Sequence, residues 1–578
     1  SDWFATKSAG PAANGGLDLV MPGPTGPWGD ALVAAVRAGE VDEAVIDDHL
    51  ARLLLLAERV GGLGRLRDWP ADLPTPSSPV RKEQLTRLAA GGITVLKNDA
   101  DTLPLSRETT VALIGRHAVE TIDMGGGSAQ VNPPYQVSVA EGLSALLGDR
   151  VTVVDGVDVR TRPVPARGGF LTDPQTGEAG IRVVLFDADG NELEQRYCAQ
   201  AKTMVGMDDD FTGTVDKAVL SGRVTTGGRV ELGVLGAGAW RIGVAGQSDE
   251  FELRISGSSF GEEVLAPPLR TTVFEVEDGA VFEATVDLGS SGAFSGAGLF
   301  GLIGNAAGRE TVDVIDDAVR AAAGADVAVV VVGLTEEQET ESVDKSTLHL
   351  PGAQNELVEA VAGAAGKTIG VVNAATPVIM PWLSRVDAVL WAGLPGQEGG
   401  HAVAAALLGD IEPAGRLVTT FPADDEKTPA WSVTPVDGQL PYTEGTFIGY
   451  RGHFAGKAVE PQFWLGHGLG YSTWEYSDVR LVTGDSPSVT VTVANTGART
   501  SREVVQVYLR PVERDEPVRL VGWTAVTVAA GEAARVVVPT DRRLWRKWDT
   551  EANAWTRLAD GGELLVARGL GDIRATVS

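Results

Sequence analysis

A single cysteine, Cys198, stands among 578 residues. No intramolecular disulfide can form, so bridges do not report the redox compartment; the cytoplasm is permitted and secretion is not excluded. Histidine is scarce as well. The six (His49, His117, His349, His401, His453, His467) are scattered, and none falls into an HExxH or comparable ligand spacing. No catalytic metal is expected. Long hydrophobic runs are missing: the longest, such as 325–334, reach about ten residues, half of what a membrane-spanning helix needs. Runs of that length suit buried parallel strands. Basic residues are also in deficit. Lys and Arg number 48 against 78 Asp and Glu, a net charge of −30 spread along the chain. Nucleic acid and anionic membrane are poor partners for such a surface, because both require positive charge to neutralise phosphate. A neutral or cationic small molecule fits better. The opening Ser1-Asp2-Trp3 carries no Met and no signal-like stretch, so the true start is expected upstream.

What is present is an alternation of helix and strand signals, interrupted twice. Residues 16–21 (GLDLVM) predict a short strand stopping at Pro22; 30–38 and 41–60 have helical periodicity, the second ended by Gly61-Gly62. Proline and serine mark 68–79 as a linker. Helix 82–90 and strands 93–96, 110–114 and 151–155 follow, with Gly125-Gly126-Gly127-Ser128 read as a flexible loop. From about 160 to 290 short alternating strands separated by turn signals predict an all-β sandwich. The α/β pattern then resumes, with helices 312–322, 357–365 and 402–408 and strands 327–332, 369–372 and 388–391. A proline-bearing stretch, 422–461, precedes a second sandwich pattern of about a hundred residues.

Two places hold carboxylates suited to chemistry. Asp2 lies beside Trp3, and an acid next to an indole suits a sugar site, where the ring stacks on the sugar face. Taken alone, an Asp at position 2 reads as a solvated surface residue. The segment 334–345 (LTEEQETESVDK) follows a buried strand and crowds Glu336, Glu337, Glu339, Glu341 and Asp344. Retaining glycoside hydrolysis uses two carboxyls, a nucleophile and an acid/base, and crowding of like charge can raise the pKa of one of them. The bland reading is a solvated acidic loop. Gly125 to Gly127 lack the Lys-Ser/Thr that a P-loop requires, and Gly399-Gly400 ahead of a helix reads as tight packing before it reads as an anion site.

Several spaced motifs resemble glycoside hydrolase family 3 in its β-glucosidase branch. Ser1-Asp2-Trp3 and Gly16-Leu17-Asp18-Leu19-Val20-Met21-Pro22 resemble two of its strand-end motifs, with Val20 where the family often has Glu. Val95-Leu96-Lys97-Asn98 with Leu103-Pro104-Leu105, and the glycine-rich stretch ahead of Ser138 and Glu141-Gly142-Leu143, resemble the start of its α/β sandwich domain. Glu341-Ser342-Val343-Asp344-Lys345 with Leu350-Pro351-Gly352 and Gln354 resembles an E-G-x-D-R…LPG-x-Q block. Pro395-Gly396-Gln397-Glu398-Gly399-Gly400, Gly449-Tyr450-Arg451 and Gly466-His467-Gly468-Leu469-Gly470-Tyr471 follow in order.

The resemblance implies a retaining, exo-acting β-glycosidase, foremost a β-glucosidase, that needs no cofactor. Asp2 would be the nucleophile, Glu341 the acid/base with Glu339 as the alternative, and Trp3 a sugar-stacking platform. Ser342 and Lys345 depart from the motif, and a lysine cannot reproduce the bidentate fork of an arginine. The implied architecture is an α/β multidomain chain: 1–75 the end of a (β/α)8 barrel, 76–159 and 303–425 an α/β sandwich domain, 160–302 an inserted protective-antigen-type (PA-14) β-sandwich, 426–475 a connecting segment, and 476–578 a fibronectin type III-like domain. Phe211 is a candidate for covering the site from the insertion. The rest of the barrel would be needed in cis or in trans, the open fragment exposing apolar surface, and a homo-oligomer is possible on this reading. The alternatives are a β-xylosidase or α-arabinofuranosidase, a glycosidase of a glycosylated natural product, and, in another class, a non-catalytic carbohydrate-binding protein.

Overall fold

Valine-rich segments with no polar residue at either parity need apolar cover on both faces, and the computed structural model gives it to them. It describes all residues except 4, 22–25, 63–71, 128–129, 132, 207–212, 256–266, 289–297, 342–343, 485–486 and 559–561. Two compact units result, Ser1–Ser78 and Pro79–Ser578.

In the larger unit a six-stranded sheet runs in the order Thr94–Asn98, Ala388–Trp391, Thr368–Asn373, Val327–Gly333, Val111–Ile114, Val151–Val154. The first pair is antiparallel and the rest are parallel. Alternate residues of Val327–Gly333 point to opposite faces. Ala328, Val330 and Val332 join one core with the helices Thr311–Ala323 and Gln354–Ala364; Val327, Val329 and Val331 join the other with Val139–Leu147 and Gly399–Leu408. The last two helices meet through glycine: a Cβ on Gly142 would lie 2.3 Å from the Gly400 backbone, and one on Gly400 would lie 1.9 Å from the Ser138 carbonyl. Packing is therefore what those glycines serve.

The chain between the two halves of this sheet forms two antiparallel sheets. One is ordered Gln247–Leu253, Gly238–Val244, Val281–Asp287, Lys217–Val224, Ile181–Phe186, Glu192–Cys198, with Leu171–Thr172 beside Lys217–Val224. The other is ordered Leu269–Val276, Gly228–Leu235, Gly298–Ala306, Lys202–Val205. Their inward residues share one core, Trp240 and Phe282 among them. The last strand ends at Ala306, beyond the expected boundary at 302. Phe211 lies outside the described residues.

After an irregular stretch broken by the helix Tyr450–Phe454, three- and four-stranded sheets close over a further core from Trp474 onward, two residues earlier than expected. Glu503 is fully buried where this domain meets the central one. It takes Arg416 at 2.9 Å and Arg568 at 2.8 Å.

The smaller unit corrects one expectation. Residues 16–21 form no strand; among the described residues this unit has the helices Gly10–Asn14, Asp30–Arg37 and Glu43–Val60. A strand needs a neighbour for its ladder, and among the described residues this segment pairs with none: the amino terminus donates to the Leu19 carbonyl, the Met21 N–H to Ser1 Oγ and the Leu17 N–H to the Ala12 carbonyl. Asp42 caps the last helix by accepting from Ala44 N, and Gly61 ends it in the left-handed region (φ +80°), as its sequence predicts. No helix among the described residues is long and apolar enough to cross a membrane.

Candidate functional site

The parallel strands of the central sheet all finish at one edge. In open α/β sheets that edge gathers ligand-binding loops. Two side chains fasten strand ends here, one from a strand and one from the start of the helix Gln354–Ala364. Asn373, closing the strand Thr368–Asn373, donates from Nδ2 to the carbonyls of Ile122 and Gly393 and accepts from Ile122 N at 2.8 Å. The loops after Val111–Ile114 and Ala388–Trp391 are thereby tied to the end of Thr368–Asn373. Gln354 brackets Gly333, accepting from its N–H at 2.9 Å and donating to its carbonyl at 3.1 Å. His117 Nδ1 lies 3.1 Å from Asn373 Oδ1 in the interior. Burial pushes this imidazole down to about 4, against the opposing pull of the Asn373 bond.

The acidic loop leaving Val327–Gly333 is not one crowded cluster. Its carboxylates divide among three environments. Glu336 and Glu337 turn inward onto Arg160, at 3.2 and 2.8 Å, and Glu336 also pairs with Arg167. Glu120 takes the other arm of Arg160. Burial would push Glu336 up, but Arg167 and Arg160 outweigh it and hold the carboxyl below the ordinary range. Glu337 is pushed up, by burial first. Glu339 turns to the loop after Thr368–Asn373. It accepts from Ala375 N at 2.8 Å, Thr376 N at 2.8 Å and Thr376 Oγ1 at 2.7 Å, with Lys345 Nζ 3.6 Å away. Its side chain is 3% exposed. Lys345 also donates to Thr376 Oγ1, so it supports this loop. Glu341 alone of the four glutamates is exposed.

The glycine-rich segment expected to be a flexible loop is a close-fitting strap. A Cβ on Gly125 would come within 2.5 Å of the Glu339 carbonyl, and one on Gly126 within 2.5 Å of the Glu336 carbonyl. Gly127 has φ +83°, and its Cβ would lie 2.7 Å from Glu341 Cγ. Three successive glycines let the strap lie on the acidic loop and set it beside the Glu341 carboxyl. Ser128, Ser342 and Val343 fall outside the described residues.

In the smaller unit Asp2 is exposed and accepts from Trp3 N at 2.7 Å, and the Trp3 ring is 59% exposed. The structure thus places Asp2 and Trp3 in one unit and Glu341 in the other. Sequence reasoning missed Arg160, Arg167, Asn373 and Thr376. Asn373 left a signal, a lone amide closing an apolar strand. The arginines left none, being distant in sequence from the acids they hold.

Comparison with known proteins adds identity to this geometry. A family model described as the glycosyl hydrolase family 3 C-terminal domain matches residues 93–450, and one described as a fibronectin type III-like domain matches 503–568. The chain is similar to a β-glucosidase of Rhizobium radiobacter, at 34% identity over 611 aligned positions that cover 100% of this chain and 72% of that protein. It is similar to a probable β-glucosidase I of Aspergillus flavus, at 30% identity with the same coverage of 100% and 72%. Among solved structures it is similar to the β-glucosidase of Kluyveromyces marxianus in complex with glucose, with a TM-score of 0.86 and 26% identity over 100% of this chain and 72% of that one. DesR, a β-glucosidase of Streptomyces venezuelae in complex with D-glucose, gives 0.68 and 28% over 100% and 71%.

Proposed function

The chain belongs to glycosyl hydrolase family 3 and is a glycoside hydrolase; from that premise we propose that it is a retaining, exo-acting β-glucosidase. Asp2 attacks the anomeric carbon while Glu341 protonates the departing oxygen. Glu341 then activates the water that releases the sugar from the glycosyl-enzyme. Trp3 offers its exposed indole to the sugar face. The observation that carries the role of Glu341 is the division of the acidic loop. An acid/base must exchange a proton with substrate and water, and Glu341 is exposed at the carboxyl edge of the sheet. Glu339, the alternative, has its oxygens taken by Ala375, Thr376 and Lys345. The names of the relatives support glucose as the sugar.

This reading keeps 1–75 as the end of a (β/α)8 barrel and takes the two central antiparallel sheets as a protective-antigen-type insertion. Leu50, Leu54, Leu55, Leu56 and Val60 are all exposed on Glu43–Val60, which supports cover by further barrel elements, supplied in cis or in trans.

The test is a panel of aryl β-glycosides with Asp2→Ala and Glu341→Ala alongside. The expected result is fastest cleavage of the glucoside, loss of activity with Asp2→Ala, and recovery of Glu341→Ala by azide. Normal activity in Glu341→Ala would overturn its assignment, and a xyloside or arabinofuranoside cleaved fastest would overturn the choice of sugar.

A further inference from the structure

Residues 159–167 lead from the strand Val151–Val154 into the two antiparallel sheets, and this stem is fastened on both sides. Toward those sheets, Ala166 N donates to the Leu302 carbonyl at 3.0 Å and Pro165 bridges Ile303 on the strand Gly298–Ala306. Toward the central sheet, the stem grips the acidic loop. Arg160 reaches Glu120, Glu336 and Glu337 together, and Arg167 reaches Glu336. Gln338 answers from the loop. Its Nε2 donates to the Val159 carbonyl at 2.9 Å, while its Oε1 accepts from Thr335 N at 3.0 Å. Glu336, Glu337 and Gln338 are thus all bound to the stem, and the next residue, Glu339, is bound to Ala375 and Thr376. Glu341 follows two residues later.

Stability alone does not call for this arrangement. The side chains of Arg160, Glu336 and Glu337 are 13%, 8% and 13% exposed. Taking such charges out of water offsets much of what their attraction contributes, and apolar side chains of similar volume would hold stem to loop as firmly. What apolar packing does not supply is direction. A planar guanidinium shared among three carboxylates fixes the orientation of each, because none can move without breaking its bond. A general acid needs its loop fixed in this way: a displacement of about 1 Å can lower the rate by about a hundredfold.

We propose that Arg160 and Arg167 are positioning residues for proton transfer. Through Glu336 and Glu337 they hold the loop that places the Glu341 carboxyl at the leaving oxygen, so the stem of the inserted sheets governs the acid/base without touching substrate. The proposal rests on Glu341 being the acid/base.

The experiment uses the full chain and two substrates that differ in their need for an acid. A dinitrophenyl β-glucoside expels a stable phenolate unaided, whereas phenyl β-glucoside needs its oxygen protonated. Arg160→Met is expected to lower kcat/KM for the phenyl glucoside about tenfold or more and to leave that for the dinitrophenyl glucoside within about twofold. Its kcat on the dinitrophenyl glucoside, limited by release of the sugar, should rise with azide, which attacks without a base. Arg160→Lys keeps the charge but not the fork, and should recover the phenyl glucoside in part. Arg167→Met removes a single, partly exposed partner and carries the test if Arg160→Met does not fold; the same dependence on leaving group is expected. Equal losses on both substrates, or no loss, with Glu341→Ala impaired, overturn the proposal alone, since a merely structural role would not sort substrates by leaving group. Normal activity in Glu341→Ala, or a wild type that cleaves neither glucoside, overturns the acid/base reading and the proposal with it.

Discussion

Lowering the pH to about 5 should destabilise the central α/β layer through one histidine. His117 is 1% exposed and its pKa is displaced from 6.5 to about 4. Above 6.5 the imidazole is neutral in the folded and unfolded chain alike, and its contribution to stability is fully present. As the pH falls below 6.5 the unfolded chain takes up a proton that the folded chain refuses, so stability is lost until the folded site titrates near 4. At 1.36 kcal/mol per unit the full loss is about 3 kcal/mol, of which about 2 has accrued by about pH 5. Ordinary carboxylates are still largely ionised there, which limits their share. The assay is guanidinium unfolding at about pH 8 and about pH 5 for the wild type and His117→Leu. The variant loses the Asn373 bond and starts less stable, yet its drop between the two pH values should be smaller by about 2 kcal/mol. Parallel losses in the two proteins would refute the reasoning, because the site would then be protonated in the folded state or solvated in it.

Other outcomes follow from the same geometry. Glu503→Ala leaves Arg416 and Arg568 buried without their carboxylate and should cost about 3–5 kcal/mol, read by the midpoint of thermal or denaturant unfolding. Glu339→Ala removes the acceptor of Ala375 N, Thr376 N and Thr376 Oγ1 at once and leaves Lys345 without its carboxylate. The loop should loosen, seen as faster amide exchange across 334–341 and 374–376, and azide should not restore whatever activity is lost, in contrast to Glu341→Ala. Gly127→Ala meets a left-handed φ, costing about 1–2 kcal/mol, and a 2.7 Å clash with Glu341. Displacement of the acid/base should lower kcat/KM about tenfold or more, with a melting temperature only slightly changed.

Much of this chain is legible in one dimension. Valine runs such as 327–332 must be covered on two faces, so a parallel sheet between helices follows from composition alone. Gly61-Gly62 announces the end of the helix Glu43–Val60, and the structure ends it there. Glu341 was marked by its motif, and Gly400 by its place before a helix. The failures have a shared cause. Residues 16–21 have the composition of a strand, but a strand is a relation between two segments, and no strand pairs with them among the described residues. The acidic loop looked like one cluster because its glutamates are neighbours in sequence. Folding separates them: Arg160 and Arg167 claim two, the backbone of Ala375 and Thr376 claims a third, and Glu341 is left at the surface. Gly125 to Gly127 looked flexible because glycine permits many conformations, whereas here it permits one close approach. Local propensity and burial pattern are set by the residues themselves and so were fixed before folding. Which charge meets which, and which glycine lies under which backbone, depends on loops from distant strands converging on one edge of a sheet, and only the tertiary structure decided that.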